Sequence, residues 1–498
     1  MTRASIFWRL TGLNLRHLLI SPVFLVLMPL MLIWLWLTTS MPALPTLNDF
    51  FTDSVLKVAG VGAVMFAVTT FPALREVRHS HDLALPLSSA LRLLSLTLAS
   101  VTVTSVIMGS VAALYPLFAP VPPAGVFQPI ALVGVILLSW YGPLSAVVSA
   151  VWTRSFVPLV AVGLLFPTYL LYTALALVTP ADLVMEQMSR FMYLALSPLP
   201  FYPDTFETAL IYLTHTLLMV LCLTLLVLAA RRGARLRRVA CLGVVGLSLV
   251  GLVGLQAYAN DVYIAPERSP SPLPRDLAAE GCVEIGRMTY CPLPGYEPWV
   301  EHWSTELTPV VARIPDRAPL PVIWQANPTR RSDTLYTPPD GTAPVGEYWD
   351  PENPYHGMDL DSSVVAYSLG LPPYLYHLCS ATGQARVVVG SWLVSRGAVH
   401  EDASTRFTAA EWFLMDYRPD LPDLSLAYLL TRLPEERVAA VIEEHWETLT
   451  SPEADLDTLT ELLDLPPADE LPEPDWEQAM IEPHKLPYEM GEDTPLCP

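Results

Sequence analysis

The sequence predicts a polytopic α-helical membrane protein carrying a C-terminal water-soluble domain of α+β or mainly helical class. Three observations predict it. The first 257 residues hold seven apolar stretches of membrane-spanning length. The arginines between them fall almost entirely on one side. The remaining residues are acidic and rich in proline, with short amphipathic patterns. The charge makes the division plain. Residues 1–257 carry 14 Lys+Arg against 8 Asp+Glu, a net +6, whereas residues 258–498 carry 14 against 41, a net -27.

A transmembrane helix needs about 20 apolar residues at 1.5 Å rise each. Spans are predicted at 19–39, 54–74, 94–118, 129–152, 156–178, 208–230 and 239–257, none with a charge at its centre. Lys57 lies near one end of the second, where its aliphatic stem can snorkel to the interface. The first run carries Pro22 and Pro29 with no close small-residue cleavage site, so it reads as a span and not as a signal peptide. Ahead of it, residues 1–18 are predicted to form an amphipathic helix on the inner membrane surface. Ile6, Phe7, Leu10, Leu13 and Leu18 recur near helical spacing, and Arg3, Arg9 and Arg16 can meet anionic membrane lipid.

Connections on one side hold Arg3, Arg9, Arg16, Arg75, Arg78, Arg92, Arg154, Arg231, Arg232, Arg235, Arg237 and Arg238, and the short loops on the other side hold Arg190 alone. Positive residues stay on the cytoplasmic side. The N-terminus is therefore expected in the cytoplasm, and seven crossings place residues 258–498 outside it, in a multi-pass plasma-membrane protein.

The C-terminal part begins with a Pro/Ser-rich linker, 259–281. Residues 282–291 then fit a β-hairpin around a Gly286-Arg287 turn, bracketed by Cys282 and Cys291. A disulfide between these two is expected outside the cytoplasm, with free thiols or pairing with Cys379 or Cys497 as the alternatives. A helix is predicted at 298–313, with Trp303, Leu307 and Val311 on one stripe. Strands are predicted at Leu320–Trp324 and Val387–Val389, and a long loop over 326–362. Helices follow at Glu411–Tyr417, Ser425–Arg432, Glu435–Thr448 and Leu456–Leu463. The domain is bounded at 258–464, and 465–498 reads as a disordered acidic, Pro-rich tail.

Several function classes can be excluded or set aside. The acidic balance argues against nucleic acid as a partner. Lys57 and Lys485 are the only lysines, preceded by Leu56 and His484. The Gly-Lys-Ser/Thr of a phosphate-binding P-loop is therefore absent, and any ATP-driven step needs a partner. No catalytic set, cofactor motif or metal motif stands out. Glu443-Glu444-His445-Trp446-Glu447 lacks a second histidine at i+4 for zinc. Asp359 and Asp361 are candidate calcium ligands, but an EF-hand needs more oxygens and a fixed glycine. His79 and His81 match a metal pair by spacing alone. His215, in the sixth span between Thr214 and Thr216, is a candidate intramembrane polar site, with a neutral histidine bonded to a neighbouring helix as the plainer reading.

The segment Arg9-Leu10-Thr11-Gly12-Leu13-Asn14-Leu15-Arg16-His17-Leu18-Leu19-Ile20-Ser21-Pro22 runs from an amphipathic helix into the first span. The loop after span two carries Glu76 and a Leu-Pro-x-Ser turn (Leu85, Pro86, Ser88) ahead of Arg92. A long segment, 179–207, precedes span six. In these features residues 1–230 resemble a permease subunit of the ABC-2 type exporters. The resemblance implies a six-span core over 19–230, to which 231–257 adds a basic loop and a seventh span. It also implies an ATPase-coupling loop containing Glu76, Asp82, Leu85, Pro86 and Ser88, although the family's usual acidic pair and glycine are replaced here by Glu76 and Asp82 without a glycine. Its implied partners are a cytoplasmic ABC ATPase subunit and a second permease copy or homologue. Residues 282–298 and 433–446 resemble the extracytoplasmic tails of permease-like membrane proteins in high-GC Gram-positive bacteria. The alternative function is a membrane-anchored extracytoplasmic binding or scaffolding protein without transport.

Overall fold

In a computed structural model of the chain, the described residues are 2–38, 44–79, 87–119, 121–161, 206–229, 235–263, 281–325, 341–345, 349–351, 353–372, 379–397, 403–474 and 495–497. The chain divides into two compact units, Met1–Ala265 and Pro266–Pro498.

The first unit is helical. Its described elements are α1 (Arg3–Leu19), α2 (Pro22–Thr38), α3 (Leu47–His79), α4 (Ser89–Phe118), α5 (Pro129–Ser139), α6 (Tyr141–Thr153), α7 (Phe206–Ala229) and α8 (Arg235–Tyr263). Among the described residues, four stretches are long and apolar enough to cross a membrane. They are Gly60–Arg78, Ser89–Tyr115, Pro129–Thr153 (which joins α5 and α6) and Ala209–Ala229. A fifth arises if α1 and α2 count as one bent span, and Val239–Leu255 is a shorter apolar helix. The expected span at 156–178 lies, beyond residue 161, outside the described residues.

The bend between α1 and α2 is 60°. It falls at Ser21-Pro22, where proline removes a backbone donor and disfavours α geometry in the residue before it. Packing within this unit relies on small residues, as expected where lipid provides no hydrophobic drive between helices. α3 and α6 cross at Gly62 and Gly142, so closely that a Cβ on Gly142 would strike the Gly62 carbonyl. The core around this crossing includes Val61, Met65, Val147 and Ala150.

The second unit combines a small sheet with helices. Its strands are β1 (Val283–Ile285), β2 (Met288–Cys291), β3 (Val322–Gln325) and β4 (Thr342–Val345), in the order β1-β2-β3-β4. The β1–β2 pair is antiparallel and the other two pairs are parallel. The hairpin pairs Val283 with Tyr290 and Ile285 with Met288. Gly286 takes the positive φ of 61° that a two-residue turn with glycine first requires. Arg287 donates to the Ile314 carbonyl at 2.8 Å and the Pro315 carbonyl at 2.9 Å, tying the turn to the segment that follows α9 (Val300–Val311). Pro344, which has no N–H, lies on edge strand β4.

The remaining helices are α10 (Pro354–Ser368), α11 (Ala385–Val394), α12 (Ala403–Met415), α13 (Leu421–Arg432), α14 (Glu435–Leu449) and α15 (Leu456–Leu462). α11 is the centre of the unit, with every residue buried. Apart from Arg386 and Ser391 its side chains are apolar or absent, and a helix that is apolar nearly all round is one that is enclosed. This corrects the predicted strand at Val387–Val389, because complete burial outweighs the β preference of three valines. The predicted loop over 326–362 is corrected too. It contains β4 and the first part of α10, which starts from an Asn353 cap with proline at its first position. The predicted disordered tail is ordered at both ends. Ala468–Glu470 forms a 3-10 turn, and Ser380 bridges Leu496 through backbone hydrogen bonds.

Two disulfides lie in this unit. Cys282 is bonded to Cys291 across the hairpin, and Cys379 to Cys497 across 118 residues of chain. Disulfides persist in oxidising compartments, so they suit an extracytoplasmic region. Cys222, in α7, and Cys241, in α8, are free.

Candidate functional site

At one end of α3 and α4 the structure builds a polar junction. Ser88 caps α4, its Oγ accepting from Leu91 N–H at 3.4 Å. One turn into α4, Arg92 points back to α3. Its Nη2 lies 2.6 Å and its Nε 2.7 Å from Glu76 Oε1, and its Nη1 donates to the Leu87 carbonyl at 2.6 Å. The side chains of Arg92 and Glu76 are 7% and 15% exposed, so the pair is shielded from water. Such a pair is costly to break from one side, because the remaining charge is left without its partner. Glu76 is therefore engaged within the unit and pins α3 to α4. Asp82, Leu85 and Pro86 lie outside the described residues, as do His81 and the side chain of His79.

Neighbouring contacts extend the junction. Asn14 of α1 donates to Ser95 Oγ of α4 at 3.0 Å. Arg78 donates to the Arg154 carbonyl at 2.9 Å and sits 4.9 Å from the centre of the Phe156 ring. Arg154 closes α6 in a left-handed conformation, which turns its carbonyl toward Arg78. Within the same unit, a cavity of about 740 Å³ is walled by α4, α6 and α7, with Arg78, Ser89 and Arg154 at its polar end and Leu94, Val101 and Val220 along its apolar length.

His215 is buried at 7% exposure, with no hydrogen-bond partner for its Nδ1 among the described residues. The same holds for the hydroxyl of buried Tyr212, three residues away on α7. Thr214 and Thr216 bond carbonyls of their own helix, so they do not satisfy the histidine.

In the C-terminal unit the unexpected feature is a set of shielded carboxyl groups. Glu306 projects from the apolar stripe of α9 beside Trp303, Leu307 and Val310. Asp361 of α10 is fully buried, and neither carboxyl oxygen has a hydrogen-bond partner among the described residues. Burial, and then repulsion from Glu306, pushes the Asp361 carboxyl well above the usual carboxylate range; burial raises Glu306 as well. Asp359 Oδ1 accepts from Trp412 Nε1 at 2.9 Å. Burial also raises Asp359, opposed by the Trp412 hydrogen bond and by His356. Asp416, just beyond α12, is pushed up to about 8 by burial and then by Asp359. By contrast, Asp423 is buried but accepts from Gly383 N–H at 3.0 Å and Asp420 N–H at 2.9 Å, in the capping box of α13.

Of the residues singled out in the sequence, Cys282 and Cys291 are bonded, while Glu76 lies in an ion pair, Ser88 caps α4 and His215 is buried; the shielded carboxyls were missed. The signal was present in part, since Glu306 interrupts the apolar stripe that predicts α9. Of the candidate calcium ligands, Asp359 bonds Trp412, and Asp361 is enclosed without a hydrogen-bond partner among the described residues. Among the described residues, no group of three or more His, Cys, Asp or Glu could hold a metal ion. No family model, curated protein or solved structure matches the chain.

Proposed function

We propose that the chain is the permease subunit of an ABC-type export system, working with a separate cytoplasmic ATPase and a second permease copy or homologue. The observation that carries this reading is the junction at Glu76–Arg92. There the return of α3 into α4 is pinned by a shielded ion pair, and α1 is fastened alongside through Asn14 and Ser95. A partner pushing on the 76–92 loop would act on α3, α4 and α1 together, as a transport cycle driven from outside the membrane requires. The lack of Gly-Lys-Ser/Thr in this sequence is consistent with a motor on another chain. In this reading the N-terminus is cytoplasmic and seven crossings deliver the C-terminal unit outside. The arginine distribution and the two disulfides support that orientation. ATP binding would favour one arrangement of the membrane helices by differential affinity for the two states.

The test is purification of the full chain from its native membrane in mild detergent, followed by reconstitution into vesicles. An ATPase subunit is expected to co-purify, and its ATP hydrolysis to rise when this chain is present. Repeated purification without any ATPase, with the C-terminal unit still folded and disulfide-bonded, would replace the permease reading with that of a membrane-anchored binding or scaffolding protein.

A further inference from the structure

The cavity walled by α4, α6 and α7 is polar at one end only. Its volume of about 740 Å³ lies within the range of ligand sites. Helix ends meet at the polar end. Arg78 lies at the C-terminal end of α3, Ser89 opens α4, Arg154 caps α6, and Leu228 lies in the last turn of α7. From there the lining runs along Leu98 and Val101 of α4, Leu144 of α6 and Val220 of α7. α6 packs on both α4 and α7, and Trp152 Nε1 donates to the Leu226 carbonyl at 3.1 Å, which ties α6 to α7. At 1.5 Å per residue, Ser89 to Val101 covers about 18 Å of helix and Leu144 to Arg154 about 15 Å. That depth is close to half of the roughly 30 Å hydrocarbon core, which is one leaflet. Leu94 in the wall is 49% exposed, so the slot opens sideways toward lipid.

Polar groups along the slot are spent locally. Thr97 donates to the Leu93 carbonyl at 2.9 Å and Thr224 to the Val220 carbonyl at 2.8 Å, both within their own helices. Trp140 Nε1 donates to Ser105 Oγ at 2.7 Å. The polar end differs. Arg78 places Nε and Nη2 on the Arg154 carbonyl, at 3.2 and 2.9 Å, which leaves the rest of its five donors for another acceptor. Arg154 enters the described hydrogen bonds through its backbone, and its side chain is exposed. Among the described residues no aspartate or glutamate lines the cavity. Glu76, two residues before Arg78 on α3, is held by Arg92 at 2.6 Å. The first turn of α4 adds the positive end of a helix dipole. Two guanidiniums and a helix N-terminus attract an anion, and the arginine fork fits a phosphate. An anionic head joined to a hydrocarbon chain satisfies both ends of the slot, whereas a free anion satisfies one.

We propose that this slot is a binding site for one anionic membrane phospholipid, its phosphate held by Arg78, Arg154 and the N-terminus of α4, and one acyl chain laid between α4, α6 and α7. Basic pockets between membrane helices take anionic headgroups in this way. The lipid enters sideways past Leu94, from the leaflet on the side of Arg78 and Arg154. That leaflet is the cytoplasmic one in the proposed orientation, whereas the site itself needs only the geometry of the membrane unit.

Saturable binding of radiolabelled phosphatidylglycerol to the immobilised full chain in an uncharged mild detergent tests this, with unlabelled phosphatidylcholine of the same acyl chains and inorganic phosphate as competitors. One phosphatidylglycerol per chain is expected, bound at least about tenfold more tightly than phosphatidylcholine, because each arginine near the headgroup favours net negative charge. Arg154→Asn keeps a residue that tolerates the left-handed backbone at that position and should weaken binding about fivefold. Leu98→Trp fills the apolar part of the slot and should abolish the saturable binding with both arginines in place; Val220→Phe serves if that chain fails to fold. Equal affinity for the two lipids overturns the proposal. Binding that neither the charge nor the filling substitution weakens also overturns it, because the lipid would then sit elsewhere, as on Arg3, Arg9 and Arg16 of α1. Displacement of the lipid by inorganic phosphate, with phosphate bound equally well by Leu98→Trp, overturns it too, since the arginines would then hold a free anion.

Discussion

Leu25, Leu30 and Val250 of the membrane unit stand 57%, 58% and 70% exposed, while Asp361 and Glu411 of the C-terminal unit are 0% exposed. One unit turns apolar side chains outward, and the other encloses carboxyl groups. The first pattern fits a lipid solvent, where outward leucines cost nothing and helix association depends on close backbone approach. The second fits a water-soluble domain with a packed apolar core of Trp303, Trp392, Phe407 and Phe413, reinforced by two disulfides. The contrast shows that burial has to be judged against the solvent each unit meets. Among the described residues, polar groups inside the membrane unit are paired, as at Glu76–Arg92 and Asn14–Ser95, or bonded to their own helix, as at Thr216; His215 Nδ1 and the Tyr212 hydroxyl are exceptions.

The largest effects expected from this contrast concern covalent closure in the C-terminal unit. Replacing Cys379 and Cys497 by serine opens a loop of 118 residues and should cost about 4.9 kcal/mol on the loop-entropy scale, against about 2.7 kcal/mol for the short Cys282–Cys291 loop. Urea unfolding of the full chain in detergent, followed by tryptophan fluorescence, measures both. Equal losses would mean that the tail end contributes little beyond its own bond.

The membrane unit should respond most to its shielded ion pair. Glu76→Gln leaves Arg92 without its counter-charge and should lower the stability of that unit by about 3 kcal/mol, at the low end for enclosed pairs. The exchange Glu76→Arg with Arg92→Glu should recover much of this in thermal unfolding. That double variant also sharpens the proposed coupling role. If it restores folding but not stimulation of the ATPase, the 76–92 loop is read by a partner as well as being a structural pin.

Next in size is the helix crossing. Gly142→Ala should separate α3 from α6 at a cost of about 2 kcal/mol, in the usual range for overpacking, seen as a lower melting temperature in detergent. The smallest effect belongs to the α13 cap. Asp423→Ala should cost about 1 kcal/mol, typical of a lost capping group, and should leave the membrane unit unchanged.

Much of this was legible in the sequence, for physical reasons that differ between the units. Apolar runs such as Ser89–Tyr115 declare themselves because a lipid-facing helix is apolar around most of its circumference. The hairpin was legible because alternation, a glycine turn and flanking cysteines agree within ten residues. α11 was not, since its valines reveal helix only once the helices packed around it are known. The shielded carboxyls were hidden for the same reason: Asp361 and Glu306 are enclosed by packing between elements far apart in sequence. Cys379–Cys497 could not be chosen from spacing, because its partners are brought together by Ser380 and Leu496 pairing at long range.

The central claim is that the two units occupy different solvents, with the N-terminus on the cytoplasmic side and the C-terminal unit outside. Accessibility to a membrane-impermeant maleimide in intact cells tests it most directly. The single-cysteine reporters are Ala4→Cys and Glu436→Cys, both at exposed positions, placed in a chain whose free Cys222 and Cys241 are replaced by serine. The account predicts that Glu436→Cys is labelled in intact cells and that Ala4→Cys is labelled only after permeabilisation. Labelling of Ala4→Cys in intact cells, or protection of Glu436→Cys until the membrane is opened, would contradict it.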